Sequence, residues 1–557
     1  MRRLACILLV TPLFLAGCGG GGGGGNSSPG PGQGGGPITP TANVTVAITS
    51  SAINASITQG DPYSATVSGT WSATNLGSGA VYLQVSDSAN TFTLPAIQAA
   101  PANGTFSYAL PVAAGLATGE RTGTITVKAC KDAACTNAHA GTSGSVAYRL
   151  TVNSVPDWET VQGNAAHNGY VPITLDASKF AKAWEWKAPS IPGTSFVYVG
   201  MLVTGGDNVY SLVTREAANG LADSYVALAE ASGTLRWETR LGPVTGSAVG
   251  ANNPAYSAGR LYAGVSGAAE YSLLALDSAN GNSVFQTNPG FSPRAGLAPT
   301  PYDGGVYAMD RVRGSGSQPN RLFSMGRNGG TPVWSQSIDQ PEQGNPFFAP
   351  AVDAQYLYYH DACCLKMLDR RTGALIASVP NTNADAGNTT SRLHPVAIGS
   401  RGNVLAGAYT PAPAKRLLSS FNIATRTREW TASLDFGSYM AVANGVVYVT
   451  RLQDEQPSLY AIDEANGQVL WTWTPPAGDA QTSLTGNIVA TRNLVFFSTA
   501  NTTARTGKTW AIDIASRQAV WSHPAPGNVV ISSTRMLYIT PMGDGFAEDS
   551  IVAFRTR

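Results

Sequence analysis

Charged side chains are scarce in this sequence, and that scarcity excludes one class of partner. Asp, Glu, Lys and Arg make up 12% of the 557 residues, against about 25% in average globular chains. The formal net charge is +1; loss of Arg2 and Arg3 with a leader would leave 33 basic and 34 acidic side chains, or −1. A chain with this net charge lacks the excess of basic residues that is typical of nucleic-acid-binding proteins.

Linear motifs of catalysis and metal binding are also lacking. The five histidines are scattered, and no HExxH, GxSxG, P-loop or EF-hand pattern occurs. We therefore predict no catalytic residue and no metal ligand. Active sites can be assembled from residues distant in sequence, so the lack of a linear motif does not exclude an enzyme. The sequence nevertheless favours a protein without catalytic activity.

Helical periodicity is missing too, since no heptad repeat or long amphipathic helix is visible. The chain instead has 62 Gly, 34 Pro and 43% hydrophobic residues. This composition favours all-β structure with many turns. The length predicts two or more domains.

The N-terminus carries the one long apolar run. Arg2 and Arg3 precede residues 4–15, which are apolar but too few for a permanent span of a bilayer about 30 Å thick. Leu-Ala-Gly-Cys follows at residues 15–18 and resembles the lipobox of bacterial lipoproteins. That resemblance implies a signal peptide over 1–17 and lipidation of Cys18, the alternative being an ordinary secretory signal. In enterobacteria-like sorting, an Asp directly after the lipidated Cys retains a lipoprotein at the inner membrane. Gly19 stands at that position here, which implies attachment to the outer membrane, on either of its faces.

Two predicted segments follow the leader. Residues 18–41 are rich in Gly, Ser and Pro and read as a disordered tether. Residues 42–154 read as an immunoglobulin-like β-sandwich, acting as a spacer or adhesive module. Its predicted strands are 44–49, 63–73, 80–86, 91–96, 105–112, 123–129 and 145–152. Cys130 and Cys135 are expected to form a disulfide after export, because a zinc site would need two more ligands.

From residue 157 onward the chain repeats itself every 41–53 residues. Residues 461–471 read Ala-Ile-Asp-Glu-Ala-Asn-Gly-Gln-Val-Leu-Trp, and related frames recur along the chain. The Asp can accept backbone N–H bonds in the turn, the Gly supplies a left-handed conformation, and the aromatic residue can pack between sheets. One such sheet cannot bury both faces alone, so the copies must stack around an axis. The predicted docking residues are Trp237, Phe285, Trp334, Trp430, Trp471 and Trp521, with turn residues Asp277, Asp369, Asp463 and Asp513.

These frames resemble the tryptophan-docking repeat of the pyrroloquinoline-quinone-like (PQQ-like) propeller family. The opening stretch, residues 157–170 with His167, also resembles the usual start of these proteins, where His167 is expected to make a structural hydrogen bond. Seven complete frames end at 237, 285, 334, 377, 430, 471 and 521. The chain then stops half a frame short, and residues 180–186 supply the missing outer strand. We therefore predict an eight-bladed, four-stranded antiparallel β-propeller over 156–557, closed by pairing its two ends.

Three sets of residues admit a chemical as well as a structural interpretation. The repeated Asp residues could be acid–base groups, and the repeated aromatic residues could form a stacking surface. Their shared frame position favours turn formation and blade packing instead. The adjacent Cys363 and Cys364 could form a vicinal disulfide that contacts a cofactor, although a rigid structural turn or a reduced pair is favoured.

The features together favour a non-enzymatic binding or scaffold lipoprotein of the bacterial envelope. The chain is similar to the BamB-like outer-membrane lipoproteins, which implies a membrane attachment through lipid, a protein partner and a role in outer-membrane protein assembly. No cofactor, no nucleic acid and a monomer are expected. One alternative is a quinoprotein dehydrogenase with pyrroloquinoline quinone and Ca²⁺, whose relatives carry long insertions between blades. Another is a surface adhesin or glycan-binding protein.

Overall fold

The structure is a computed structural model, and it is built almost wholly from β-strands. It describes residues 42–217, 220–241, 252–266, 271–287, 298–310, 320–338, 349–361, 363–381, 395–409, 416–453, 456–476, 483–501, 506–542 and 548–557. Within these ranges the sole helical element is the 3₁₀ turn Ala177–Lys179. None of their helices has the length and apolarity to cross a membrane. The predicted all-β class is confirmed, while the leader, Cys18 and the tether lie outside the described residues.

Two sheets face each other in the N-terminal domain, around a core that includes Leu83, Val127 and Tyr148. Alternating buried and exposed residues along the strands produce this core, since successive side chains point to opposite faces. The three-stranded sheet has the order Asn43–Ile48, Ser64–Thr74, Thr105–Pro111. The five-stranded sheet has the order Ile53–Thr58, Gly144–Asn153, Gly119–Cys130, Tyr82–Asp87, Gln98–Ala99.

This domain differs from the sequence expectation at the short strand Gln98–Ala99, which was not predicted, and in two further places. Ile53–Thr58 is a strand that pairs in parallel with Gly144–Asn153 and was not predicted. The segment 91–96 was predicted as a strand, but it forms only an isolated bridge between Phe92 and Val112. Asp87 accounts for the last of these differences, because its carboxylate accepts the N–H groups of Thr91 and Phe92 and so holds a turn there.

Eight antiparallel sheets succeed one another in the described part of residues 181–555, and each is numbered here in chain order. Their strands, from first to fourth in pairing order, are as follows. Sheet 1 has Thr194–Val199, Asn208–Ala217, Gly220–Ala229 and Leu235–Arg240, with Val203–Gly205 also paired to the second strand. Sheet 2 has Ala255–Ser257, Arg260–Ser266, Tyr271–Asp277 and Ser283–Thr287, and sheet 3 has Thr300–Tyr302, Gly305–Asp310, Asn320–Gly326 and Trp334–Ile338. Sheet 4 has Ala351–Val352, Tyr356–His360, Cys364–Asp369 and Leu375–Pro380, and sheet 5 has Val396–Ile398, Val404–Tyr409, Arg416–Asn422 and Thr427–Ser433. Sheet 6 has Phe436–Ala443, Val446–Gln453, Gln456–Asp463 and Val469–Trp473, and sheet 7 has Ser483–Ala490, Leu494–Asn501, Thr506–Asp513 and Gln518–His523. Sheet 8 has Gly527–Ile531, Met536–Pro541, Ser550–Arg555 and Ala181–Lys187.

Each sheet is covered on both faces by its neighbours, which explains the continuous burial of the inner strands. Leu494–Asn501 in sheet 7 is buried at all eight positions. The apolar clusters span adjacent sheets, as when Tyr210 of sheet 1 packs with Tyr256 of sheet 2. The fourth strands, by contrast, are largely exposed.

The two ends of the repeat region meet in sheet 8. The strand Ala181–Lys187 pairs with Ser550–Arg555, as the unfinished last frame predicts. One apolar cluster then joins sheet 8 to sheet 1, with Ile551 and Val226 among its members. The last sheet therefore packs against the first.

Candidate functional site

The repeated aromatic residues pack against the repeated glycines of the following sheet. A Cβ at Gly281 would lie 2.6 Å from the ring of Trp237, so only glycine fits under the indole. The indole N–H of Trp237 also donates to the carbonyl of Ser278 at 3.0 Å. Such close packing identifies a docking contact between sheets rather than a stacking surface for a ligand. The same contact occurs in the pairs Trp184–Gly233, Phe285–Gly329, Trp334–Gly373 and Trp430–Gly467.

Three docking positions depart from this scheme. Ala377 ends its frame without an aromatic ring, and the next frame has Arg426 where a glycine would stand. Trp471 likewise precedes a frame with Arg517. Trp521 contacts Phe180 and Phe554 edge-to-face, with ring centroids 5.4 and 5.2 Å apart.

The repeated aspartates hold the turn that follows the third strand. Asp369 accepts the hydroxyl and the N–H of Thr372, each at 2.8 Å, and the N–H of Arg371 at 3.0 Å, and these bonds lower its pKa. Asp277, Asp463 and Asp513 accept backbone N–H groups in the same manner. The carboxylates are thus engaged in turn formation, as their shared frame position indicates.

The residue after each repeated Asp connects its sheet to the preceding one. Glu464 accepts the hydroxyl of Ser400 at 2.5 Å, in the first turn of sheet 5. Glu230 occupies the same position in sheet 1, and one of its oxygens accepts the hydroxyls of Ser532 and Thr534 in sheet 8. Glu230 therefore connects sheet 1 to sheet 8, and we call this contact between the first and last sheets the seam.

The opening stretch, residues 157–171, lies against the first strands of successive sheets. His167 is buried, its Nε2 lies 3.1 Å from Thr300 Oγ1 in sheet 3, and burial lowers its pKa to about 4. Thr160 donates to the carbonyl of Pro299 at 2.8 Å. These two contacts attach the opening stretch to sheet 3. The backbone carbonyls of this stretch accept further bonds as follows: Trp158 from Thr204, Glu159 from Tyr256, Ala165 from Val352, Ala166 from Ile398, Asn168 from Val442 and Gly169 from Ala490.

Carboxyl groups with raised pKa lie beside this stretch at the seam. Burial raises the pKa of Glu230 to about 7, and the charges of Asp157 and Asp207 add to the effect. Burial and Asp157 raise the pKa of Glu159 to about 7 as well. Because most of Glu230 is inaccessible and its second oxygen has no hydrogen-bond partner among the described residues, the protonated form suits this environment.

The sandwich domain is attached to the repeat region through one buried aspartate. Asp61 accepts the backbone N–H of Thr174 at 2.9 Å and forms ion pairs with Arg535, at 2.7 Å, and with Arg492. Arg492 and Arg535 lie in the first turns of sheets 7 and 8. Sequence reasoning missed this attachment, since Asp61 lies 431 and 474 positions from the two arginines and shares no pattern with them.

A cleft of about 800 Å³ opens between the two domains beside this contact. Its lining combines apolar residues such as Val155 and Leu175 with Lys179 and Arg557. The nearby guanidinium of Arg535 already donates to Gln59, Thr174 and Asp61. Arg535, one of the charged residues of the lining, is therefore engaged in holding the domains together.

Two disulfides are present in different domains: the one expected in the sandwich, and one at the adjacent cysteines, where the sequence left a disulfide and a reduced pair open. Cys130 pairs with Cys135 in the sandwich, and Cys363 pairs with Cys364 in the turn between the second and third strands of sheet 4. His360 precedes this turn and is fully buried, and burial lowers its pKa.

The described residues do not fit a calcium–quinone centre. Among them, only Asp361, Cys363 and Cys364 form a group of three potential ligand side chains, with ligand atoms within 4.8 Å of one another. Two of these residues are joined by a disulfide, and Ca²⁺ prefers six to eight oxygen ligands.

Exposed aliphatic residues recur at the start of the fourth strands; Val333 directly precedes its strand, and the others lie within theirs. The outer edges of these strands have no pairing strand among the described residues. Val333 and Leu375 are 64% and 59% exposed, respectively. All members of this set stand one or two residues before the docking position, and we call them the outer-strand residues. They are Leu235, Val284, Val333, Leu375, Val469, Leu470 and Val520.

Comparison with solved structures gives propellers of low similarity. A europium-containing methanol dehydrogenase is 12% identical, with 72% of this chain and 98% of that chain covered and a TM-score of 0.39. The Dos1 propeller is 11% identical, with 68% and 96% covered and a TM-score of 0.44. Apo AztD from Citrobacter koseri is 11% identical, with 60% and 96% covered and a TM-score of 0.36. No curated protein matches the chain.

A family model also matches the chain. It covers residues 203–472 and 414–547, which together are more than half of the chain, and it is described as "Outer membrane protein assembly factor BamB". The match lies within the docking frames and sheets described above. The chain therefore belongs to this family of PQQ-like repeat propellers.

Proposed function

We propose that this chain is a non-enzymatic scaffold lipoprotein that binds extended polypeptides during outer-membrane protein assembly. It would be anchored in the outer membrane through lipidated Cys18 and would act as a monomer without a cofactor. We also propose that the eight sheets are the blades of one propeller and that residues 42–154 are an immunoglobulin-like spacer. The description of the matching family is consistent with an envelope location.

The outer-strand residues are the observation that carries this proposal. An edge strand offers unpaired N–H and C=O groups, and an extended segment can add to it as a further strand. The aliphatic side chains beside these groups favour a segment with apolar residues at alternate positions. Transmembrane strands of outer-membrane barrels have this alternation over about ten residues.

A labelled peptide of ten residues with alternating Val and Thr tests this proposal by fluorescence anisotropy with the full chain. We expect saturable binding, and we expect the double substitution Val333→Lys and Leu375→Lys to weaken it by about tenfold, because lysine on an edge opposes strand addition. Leu94→Lys is the matched control, since Leu94 is an exposed aliphatic residue of the sandwich domain. Equal binding by the double variant and the control would overturn the proposal.

A further inference from the structure

The turn that contains Cys363 and Cys364 is held by hydrogen bonds that do not involve sulfur. One oxygen of Asp361 accepts the N–H groups of Cys363 and Cys364 at 2.9 and 2.8 Å. The backbone N–H of Asn381, beyond the fourth strand of sheet 4, donates to the carbonyl of Cys363 at 2.8 Å. These bonds need no disulfide, so the turn can keep its shape when the cysteines are reduced.

The two sulfur-bearing residues differ in access from solvent. Cys364 is 9% exposed, whereas Cys363 is only half-buried. Thiol–disulfide exchange begins when a thiolate reaches one sulfur of the bond. An external thiol therefore meets Cys363 first, and Cys364 becomes the leaving group.

Adjacency makes this disulfide the more reducible of the two in the described chain. The peptide bond fixes the Cα atoms of neighbouring residues about 3.8 Å apart, below the range of about 4.4–6.8 Å in most disulfides. The Cα atoms of Cys130 and Cys135 are 5.0 Å apart, within that range. Disulfides that are constrained in this way or exposed are the labile ones.

A carboxylate paired with an ammonium group lies beside the sulfur atoms. A carboxylate oxygen of Asp361 and both sulfur atoms are all within 4.8 Å of one another. Asp361 Oδ2 lies 3.1 Å from the ammonium group of Lys366. The carboxylate disfavours a departing Cys364 thiolate, whereas the ammonium group favours it.

We propose that Cys363–Cys364 is a redox-active disulfide that exchanges electrons with a dithiol. A donor thiolate attacks the Cys363 sulfur and forms a mixed disulfide, while the bond to Cys364 breaks and Cys364 leaves as a thiolate that takes up a proton. The donor's second thiol, as its thiolate, then attacks the mixed disulfide and releases Cys363 as a thiol. The donor ends as a disulfide, and the chain gains two electrons and two protons.

The first test uses the full chain in its oxidised form under native conditions. After incubation with equimolar dithiothreitol, free thiols are alkylated with iodoacetamide and located by peptide mass spectrometry. We expect label on Cys363 and Cys364, and none on Cys130 and Cys135, which act as the internal control. Reduced thioredoxin in place of dithiothreitol distinguishes the sources: reduction by both supports a protein-borne donor, and reduction by dithiothreitol alone supports a small one.

Two results of this test would overturn the proposal. One is alkylation of Cys363 and Cys364 before any reductant is added, since the pair would then hold no disulfide. The other is reduction of Cys130–Cys135 at the same or a lower reductant concentration. Neither readout depends on a substituted protein or on the proposed binding function.

Substitutions test the direction of attack and the effect of the charges. In a Cys364→Ser chain, a thiol-reactive disulfide probe should label Cys363 at least tenfold faster than it labels Cys364 in a Cys363→Ser chain. Asp361→Asn should accelerate reduction of the disulfide, and Lys366→Met should slow it. Each rate should change by about threefold if the substitution shifts the pKa of the departing Cys364 thiol by about one unit. The reverse order in either comparison would refute the assigned roles.

Discussion

Glu230 is a buried carboxylic acid whose protonation should control how stability varies with pH. Its pKa is about 7 in the folded chain, chiefly because of burial, against 4.5 for an unperturbed Glu. Its contribution is therefore fully present below about pH 4.5 and is lost as the pH rises through 7. We expect Glu230 by itself to lower the free energy of unfolding by up to about 3 kcal/mol between pH 5 and pH 8, whereas the buried His167 and His360, whose pKa values are lowered, act in the opposite direction over this range. Urea unfolding at the two pH values measures this loss.

Replacement of Glu230 by Gln keeps the shape and removes the titration. The difference in unfolding free energy between pH 5 and pH 8 should shift by up to about 3 kcal/mol in favour of pH 8, while Glu159, whose pKa is also raised to about 7, still titrates in this range. Glu120→Gln is the control, since the Glu120 side chain is 46% exposed and should leave the difference unchanged. The assignment is wrong if Glu230→Gln shows the same pH dependence as the unsubstituted chain.

At the scale of the element, the docking contact between sheets should depend on glycine for space as well as for backbone conformation. Gly281 has φ +73°, and a Cβ there would lie 2.6 Å from the Trp237 ring. Gly259 has φ +82°, yet the nearest atom to its Cβ would be 3.9 Å away. We expect Gly259→Ala to cost about 1 kcal/mol for the backbone and Gly281→Ala a further 1–3 kcal/mol or so for overpacking. Equal losses in urea unfolding would show that the indole yields and that docking does not need the glycine.

The same element shows what the sequence can predict and why. The frame of Asp, Gly and Trp encodes a turn and a contact with the next copy, so its strands and the pairing of 181–187 with the last copy follow from local pattern. Ile53–Thr58 was missed because its exposure is mixed and its partner strand is parallel and distant. The seam acid Glu230 was missed because its burial depends on sheet 8, more than 300 residues away.

At the scale of the whole molecule, long-range contacts join parts that no repeat connects. The opening stretch hydrogen-bonds to seven of the eight sheets, although its sequence indicates only a family-typical start. The domain attachment likewise depends on Asp61 and Arg535, which lie 474 positions apart. Such contacts form only once the sheets have assembled, and no periodic pattern in the sequence predicts them.

The domain attachment leads to a prediction for the intact chain. In Asp61→Asn the side chain keeps its shape, but Arg535, which is 4% exposed, loses its carboxylate partner inside the interface. Removal of one member of a buried ion pair costs about 3–5 kcal/mol, whereas an exposed pair contributes less than about 1 kcal/mol. We expect Asp61→Asn to lower the thermal midpoint and to expose the junction near residue 155 to limited proteolysis. Arg149→Met, which breaks the exposed pair with Glu120, should change neither. If Asp61→Asn melts and is cleaved like Arg149→Met, then the apolar contacts around the cleft, and not this aspartate, hold the two domains together.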